Sequence, residues 1–156
     1  MWLNLMKFFY LMIFLILVPL SLFADLTEES FKNKNRYDIL ENQNIAETDS
    51  INVEIKFIPP AGKKVNMATF VRTWEKMKHQ WMEIETVEVG NLPFEFSDNI
   101  LLHNILLKNK NSVIALEIDF IHCDKKGGSC SSKKYLTKIL RTKKTKDNKL
   151  NLTLKA

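Results

Sequence analysis

Only two cysteines, Cys123 and Cys130, and three histidines, His79, His103 and His122, occur in the 156 residues. Zinc needs about four ligands at regular spacings, and His79 and His103 have none, so no metal site is expected. Four glycines are too few and too scattered for a phosphate-cradling loop, and no thioredoxin-type CxxC is present. Nor does any local motif mark a Ser/His/Asp arrangement, so no independent hydrolase site is visible and no cofactor is implied. Arginine occurs only at Arg36, Arg72 and Arg141, and lysine supplies the other 20 of the 23 basic residues behind the +5 net charge. Arginine makes the bidentate contacts that read bases, so its scarcity argues against nucleic-acid recognition despite a pI of about 9.1.

A long apolar run is present once, at the start. Lys7 is followed by unbroken apolar residues from Phe8 to Val18, then Pro19, Ser21 and the small Ala24. A basic start, an apolar centre and a small residue before a polar chain is the build of a secretory signal peptide, expected as a helix over residues 1–24 with cleavage between Ala24 and Asp25. Pro19 would end that helix ahead of the cut. The rival is an uncleaved anchor over residues 8–24, at the short edge of what spans a bilayer, and only then would a membrane be a partner. The reading is a periplasmic or secreted protein, or one held at the inner membrane by that segment. About 130 residues follow, enough for one modest core and too few for two.

Residues 25–50 are polar, with scattered apolar side chains and no sustained period, and read as a loosely held lead-in. From residue 51 to 156 the pattern is β. Ile51, Val53, Ile55 and Phe57 alternate with polar residues, and Pro59, Pro60 and Gly62 close the strand. Residues 67–81 are ambiguous: Met67, Phe70, Val71, Trp74, Met77 and Trp81 fit a helical stripe, yet a short strand is also allowed. Glu83 to Val89 is β-like and ends at Gly90, Asn91 and Pro93, and a turn at Ser97 to Asn99 precedes the apolar run Ile100 to Leu107. The strongest strand is residues 113–123, where Ile114, Leu116, Ile118 and Phe120 alternate with Ala115, Glu117 and Asp119, placing the acidic pair on a water-facing side. Leu150, Leu152 and Leu154 mark a last strand. Six or seven strands joined by short turns predict an all-β, immunoglobulin-like β-sandwich behind the N-terminal signal-peptide helix.

Cys123 ends one strand and Cys130 begins the next, with Gly127 and Gly128 in the six-residue connection. A hairpin brings the residues flanking its turn within disulfide reach, and in an oxidising compartment the pair is expected to be bonded. Two roles are open. As a structural staple the bond closes a short loop and is worth on the order of 2 kcal/mol. As a redox-active dithiol it needs exposure and an available thiolate, which His122, Lys125, Lys126, Lys133 and Lys134 would favour and Asp124 oppose. The lysine-rich stretch from Lys133 to Lys149 is able to meet an anionic surface, but lysines on edge strands also block edge-to-edge association, and a solvated loop is the favoured reading.

The segments FIPPAGKKVN and ALEIDFIHCDKKGGSC, with the final NLTLKA, resemble the small β-sandwich domain of DsbD-type thiol:disulfide interchange proteins and of the end of thioredoxin/NHL-repeat proteins. The resemblance covers roughly residues 51–156 and rests on the Pro-Pro-x-Gly turn and the cysteine hairpin. It implies extended chain at residues 68–77. It also implies thiol-disulfide exchange through Cys123 and Cys130 with a periplasmic thioredoxin-like or membrane thiol-disulfide protein. The alternative from a different class is a non-catalytic binding or assembly module whose hairpin disulfide is structural.

Overall fold

The computed structural model describes residues 26–66, 68–89, 99–109 and 113–156. The expected leader at 1–24 and the expected turns at Gly90, Asn91, Pro93 and Ser97 lie outside them. The described chain opens with a 3-10 turn, Glu28–Lys32, and continues through β1 (Asp38–Ile39), β2 (Gln43–Ala46), β3 (Ser50–Ile58), β4 (Lys63–Val65) and β5 (Phe70–Met77). It then forms β6 (Gln80–Glu88), β7 (Ile100–Leu106), β8 (Ile114–Asp124), β9 (Cys130–Thr142) and β10 (Lys149–Lys155). The larger sheet runs β1-β9-β8-β5-β6, and the smaller β10-β3-β7. This is the expected all-β sandwich. Among the described residues no helix is long and apolar enough to cross a membrane.

Alternation explains the core between the sheets. Ile51, Val53, Ile55 and Phe57 of β3 and Leu150, Leu152 and Leu154 of β10 face Ile114, Leu116, Ile118 and Phe120 of β8. Phe57 and Phe120 meet at 5.2 Å between ring centroids. β3 joins β7 antiparallel and β10 parallel, so the last strand closes the smaller sheet beside its first.

Phe70–Met77 is extended. It pairs antiparallel with β8 on one side and β6 on the other, and its register with β6 shifts between Thr73 and Trp74. The helical stripe misleads because both faces of this strand are covered. Val71 lies in the inter-sheet core and Trp74 in a second apolar cluster on the outer side of the larger sheet. A strand buried on both sides loses the alternation that would identify it.

The lead-in is not loose over its described part. β1 and β2 lie parallel along β9, Asp38 opposite Tyr135 and Gln43 opposite Ile139. Ahead of them, residues 26–37 strap the outer face of the larger sheet. Leu26 and Tyr37 are buried there with Trp74, Trp81, Ala115 and Leu136, and Phe31 stacks on Trp81 at 5.3 Å. Glu28 forms ion pairs with Lys76 of β5 and, at 2.7 Å, with Lys138 of β9. These partners are distant in sequence and the strands short, which is why no local period announced them.

Hydrogen bonds from Lys138 and Lys76 lower the Glu28 carboxyl to about 2 from an ordinary 4.5. A lowered folded-state pKa stabilises the strap fully above pH 4.5 and less as the pH falls towards 2. Between those values tryptophan fluorescence is expected to shift red as Trp81 loses Phe31. Glu28→Gln should remove that acid step, and an unchanged titration in this variant would show that Glu28 does not hold the strap.

Candidate functional site

β8 and β9 form a long antiparallel hairpin in which Cys123 faces Cys130 directly. The two are joined in a disulfide with their Cα atoms 4.1 Å apart. That spacing matches the close, non-hydrogen-bonded type of antiparallel pair, whose side chains approach most nearly. Gly127 and Gly128 have φ of +83° and +132°, so the reversal uses backbone conformations that glycine enters without strain. Asp124 accepts a hydrogen bond from Ser129 and an ion pair from Lys63 at 2.7 Å, which tie the turn down and lower its carboxyl below the usual range.

The two cysteines differ in environment. Cys123 is 9% exposed, while Cys130 stands open to solvent. Asn66, between β4 and β5, donates its side-chain amide to Cys123 Sγ at 3.0 Å and lies 3.8 Å from Cys130 Sγ. β4 places it there by pairing with β8, Lys64 opposite Cys123 and Val65 opposite His122. The loop with Pro59, Pro60 and Gly62 turns the chain back for that pairing, where Gly62 has φ +79°.

The positive neighbours expected from sequence are not all at the sulfurs. His122 points to the opposite face, buried with its ring 5.7 Å from that of Phe120. Lys133 pairs with Asp38 at 2.7 Å and Lys134 with Asp119 at 3.7 Å. Lys125 and Lys126 stay exposed in the turn. The side chain that hydrogen-bonds to the disulfide is thus the neutral amide of Asn66, which sequence reasoning missed. The available signal was its place in FIPPAGKKVN, but only the β4–β8 pairing shows that its side chain meets sulfur.

Farther along the same face of β8 sits a buried acidic pair. Glu117 is 3% exposed and accepts hydrogen bonds from Tyr37 Oη at 3.0 Å and Trp74 Nε1 at 3.1 Å. Arg72 lies 3.9 Å from Glu117 and donates to Asp119 at 3.2 Å. Burial and then the Glu117 charge push the Tyr37 phenol well up. The expectation that Glu117 and Asp119 face water is therefore corrected: the strap and β5 cover them, and their charges are met by donors. Those donors are taken up by the two carboxylates, so the cluster clamps the strap, although Asp119 Oδ1 is buried without a hydrogen-bond partner among the described residues. Among the described residues no group of three or more His, Cys, Asp or Glu is placed to hold a metal ion.

The lysine-rich stretch is divided. Lys138 and Lys149 are in ion pairs with Glu28 and Glu54, and Arg141 donates to the backbone carbonyls of Asn109 and Thr48. Lys143, Lys144 and Lys146 remain exposed around the turn before β10. No protein-family model and no curated protein matches this chain.

Proposed function

We propose that this is an exported domain that takes part in thiol-disulfide exchange through Cys123 and Cys130. The observation that carries the reading is the unequal burial of the two cysteines: an exposed Cys130 joined to a buried Cys123 whose sulfur accepts a hydrogen bond from Asn66. An incoming thiolate reaches Cys130, forms a mixed disulfide with it and expels Cys123 as a thiolate. A donor aimed at the departing sulfur stabilises its negative form. The partner's second thiolate then attacks its own sulfur in the mixed disulfide, forms the partner's disulfide and releases Cys130 as a thiolate. Two electrons pass from the partner to the domain, and the reverse sequence returns them. The leader-like residues 1–24 and a paired disulfide both favour an oxidising compartment, and the resemblance to DsbD-type domains supplies a thioredoxin-like or membrane thiol-disulfide protein as the partner.

The test is trapping. With Cys123→Ala, the free Cys130 is expected to hold a thioredoxin-like partner as a stable mixed disulfide. Cys130→Ala, which leaves only the covered Cys123, should capture much less. Asn66→Ala should slow reduction of the native disulfide by about tenfold, the effect of one hydrogen bond to a charged acceptor. A pair that no thiol reduces while the domain stays folded would assign the bond to structure and the protein to the binding or assembly class.

A further inference from the structure

A shallow groove of about 380 Å³ runs along the edge of β9 beside the disulfide, lined by Lys34, Asn35, Arg36, Ser132, Lys133 and Lys134, with Tyr37 and Asp38 at its end. Ser132 follows Cys130 by two residues on β9 and therefore shares its face, about 7 Å away at the rise of a strand. The groove thus opens beside the exposed cysteine. Its lining carries four cations against one carboxylate, Asp38, which is bound to Lys133 at 2.7 Å. Lys134 shares Asp119 with Arg72. Lys34 and Arg36 have no ion pair among the described residues, and both are exposed on the segment leading into β1. The Arg36 guanidinium lies 5.2 Å from the centre of the Tyr37 ring, and Tyr37 is itself anchored on Glu117. The carboxylate nearest the disulfide, Asp124, is held by Lys63 at 2.7 Å, which offsets its repulsion of an anion.

We infer that this groove takes a low-molecular-weight thiol bearing carboxylates, the chemical class of glutathione, and presents it to Cys130. The inference rests on the proposed exchange activity and adds to it a small anionic substrate. Lys34 and Arg36 hold the carboxylates, which do not react, and the thiolate attacks Cys130 Sγ. The new S–S bond joins the small thiol to Cys130, and the Cys130–Cys123 bond breaks with Cys123 leaving as thiolate. A second molecule attacks the first one's sulfur and releases Cys130. Two small thiols become one small disulfide, and the protein disulfide becomes a dithiol.

Reduction of the full domain by glutathione, 2-mercaptoethanol and cysteamine, anionic, neutral and cationic respectively, tests this when each rate is normalised to thiolate concentration and intrinsic nucleophilicity. Glutathione is expected to lead 2-mercaptoethanol by about fivefold and cysteamine by more, with the lead shrinking in high salt as exposed charges are screened. In Lys34→Glu/Arg36→Glu the order should reverse, with glutathione slowed most, the singly charged 2-mercaptoethanol thiolate about twofold and the zwitterionic cysteamine thiolate least. Equal normalised rates in the unaltered protein, or a charge-reversed variant that slows all three thiols alike, would overturn the inference and leave exchange standing. Failure of all three to reduce the folded protein would instead remove the exchange reading on which it rests.

Discussion

Ile118→Asp is expected to abolish cooperative folding. Ile118 is fully buried between the sheets, opposite Val71 on β5 and Tyr135 on β9, in a cluster with no cation, and the Tyr135 hydroxyl is already engaged as donor to the Lys155 carbonyl. An unpaired carboxylate there either ionises in an apolar medium or stays protonated with its donor unused, costing about 5 kcal/mol or more. A domain of this size has only some 5–15 kcal/mol in total. Urea denaturation followed by circular dichroism should show no native baseline. A folded variant with a normal transition midpoint would mean that the even-numbered side of β8 is not the inter-sheet face.

The neighbouring residue gives the second large effect, for a different reason. Glu117→Lys is expected to cost about 3–5 kcal/mol, as when one partner of a buried charge group is removed. The new ammonium would face Arg72, and Tyr37 Oη and Trp74 Nε1 would both lose their acceptor. Glu117→Gln keeps an oxygen for one of those donors and should cost less, about 1–3 kcal/mol. The losses are measurable as shifts in the urea midpoint. The lysine variant should also expose the strap to protease between residues 26 and 37. Were Glu117→Lys as mild as a change on a solvated face, the buried placement of this carboxylate would be wrong.

These two substitutions separate what local patterning carries from what it does not. The alternation of Ile114, Leu116, Ile118 and Phe120, and that of β3 and β10, marks a core face because a strand turns successive side chains to opposite sides. It does not say whether the other side meets water. That depends on whether a remote segment covers it, and here residues 26–37 and Trp74 do. Glu117 and Asp119 look like solvent-facing residues in the sequence because nothing near them carries the signal of Tyr37, 80 residues earlier. The same double covering hid β5, whose apolar residues on both faces imitate a helical stripe.

The site divides in the same way. The pairing of Cys123 with Cys130 is local, set by a six-residue connection with two glycines between strong strand patterns, and chain geometry alone brings such residues together. The amide of Asn66 at Cys123 and the engagement of Lys133 and Lys134 by Asp38 and Asp119 come from pairings across the sheet, whereas His122 lies on the opposite face simply because it precedes Cys123 in the strand. By itself the sequence determined an all-β chain with a cysteine hairpin, since alternation and turn chemistry act between near neighbours. Which cysteine is exposed, and which charges remain free beside it, only the tertiary structure decided, because burial and ion pairing depend on residues that the fold brings together from dozens of positions away.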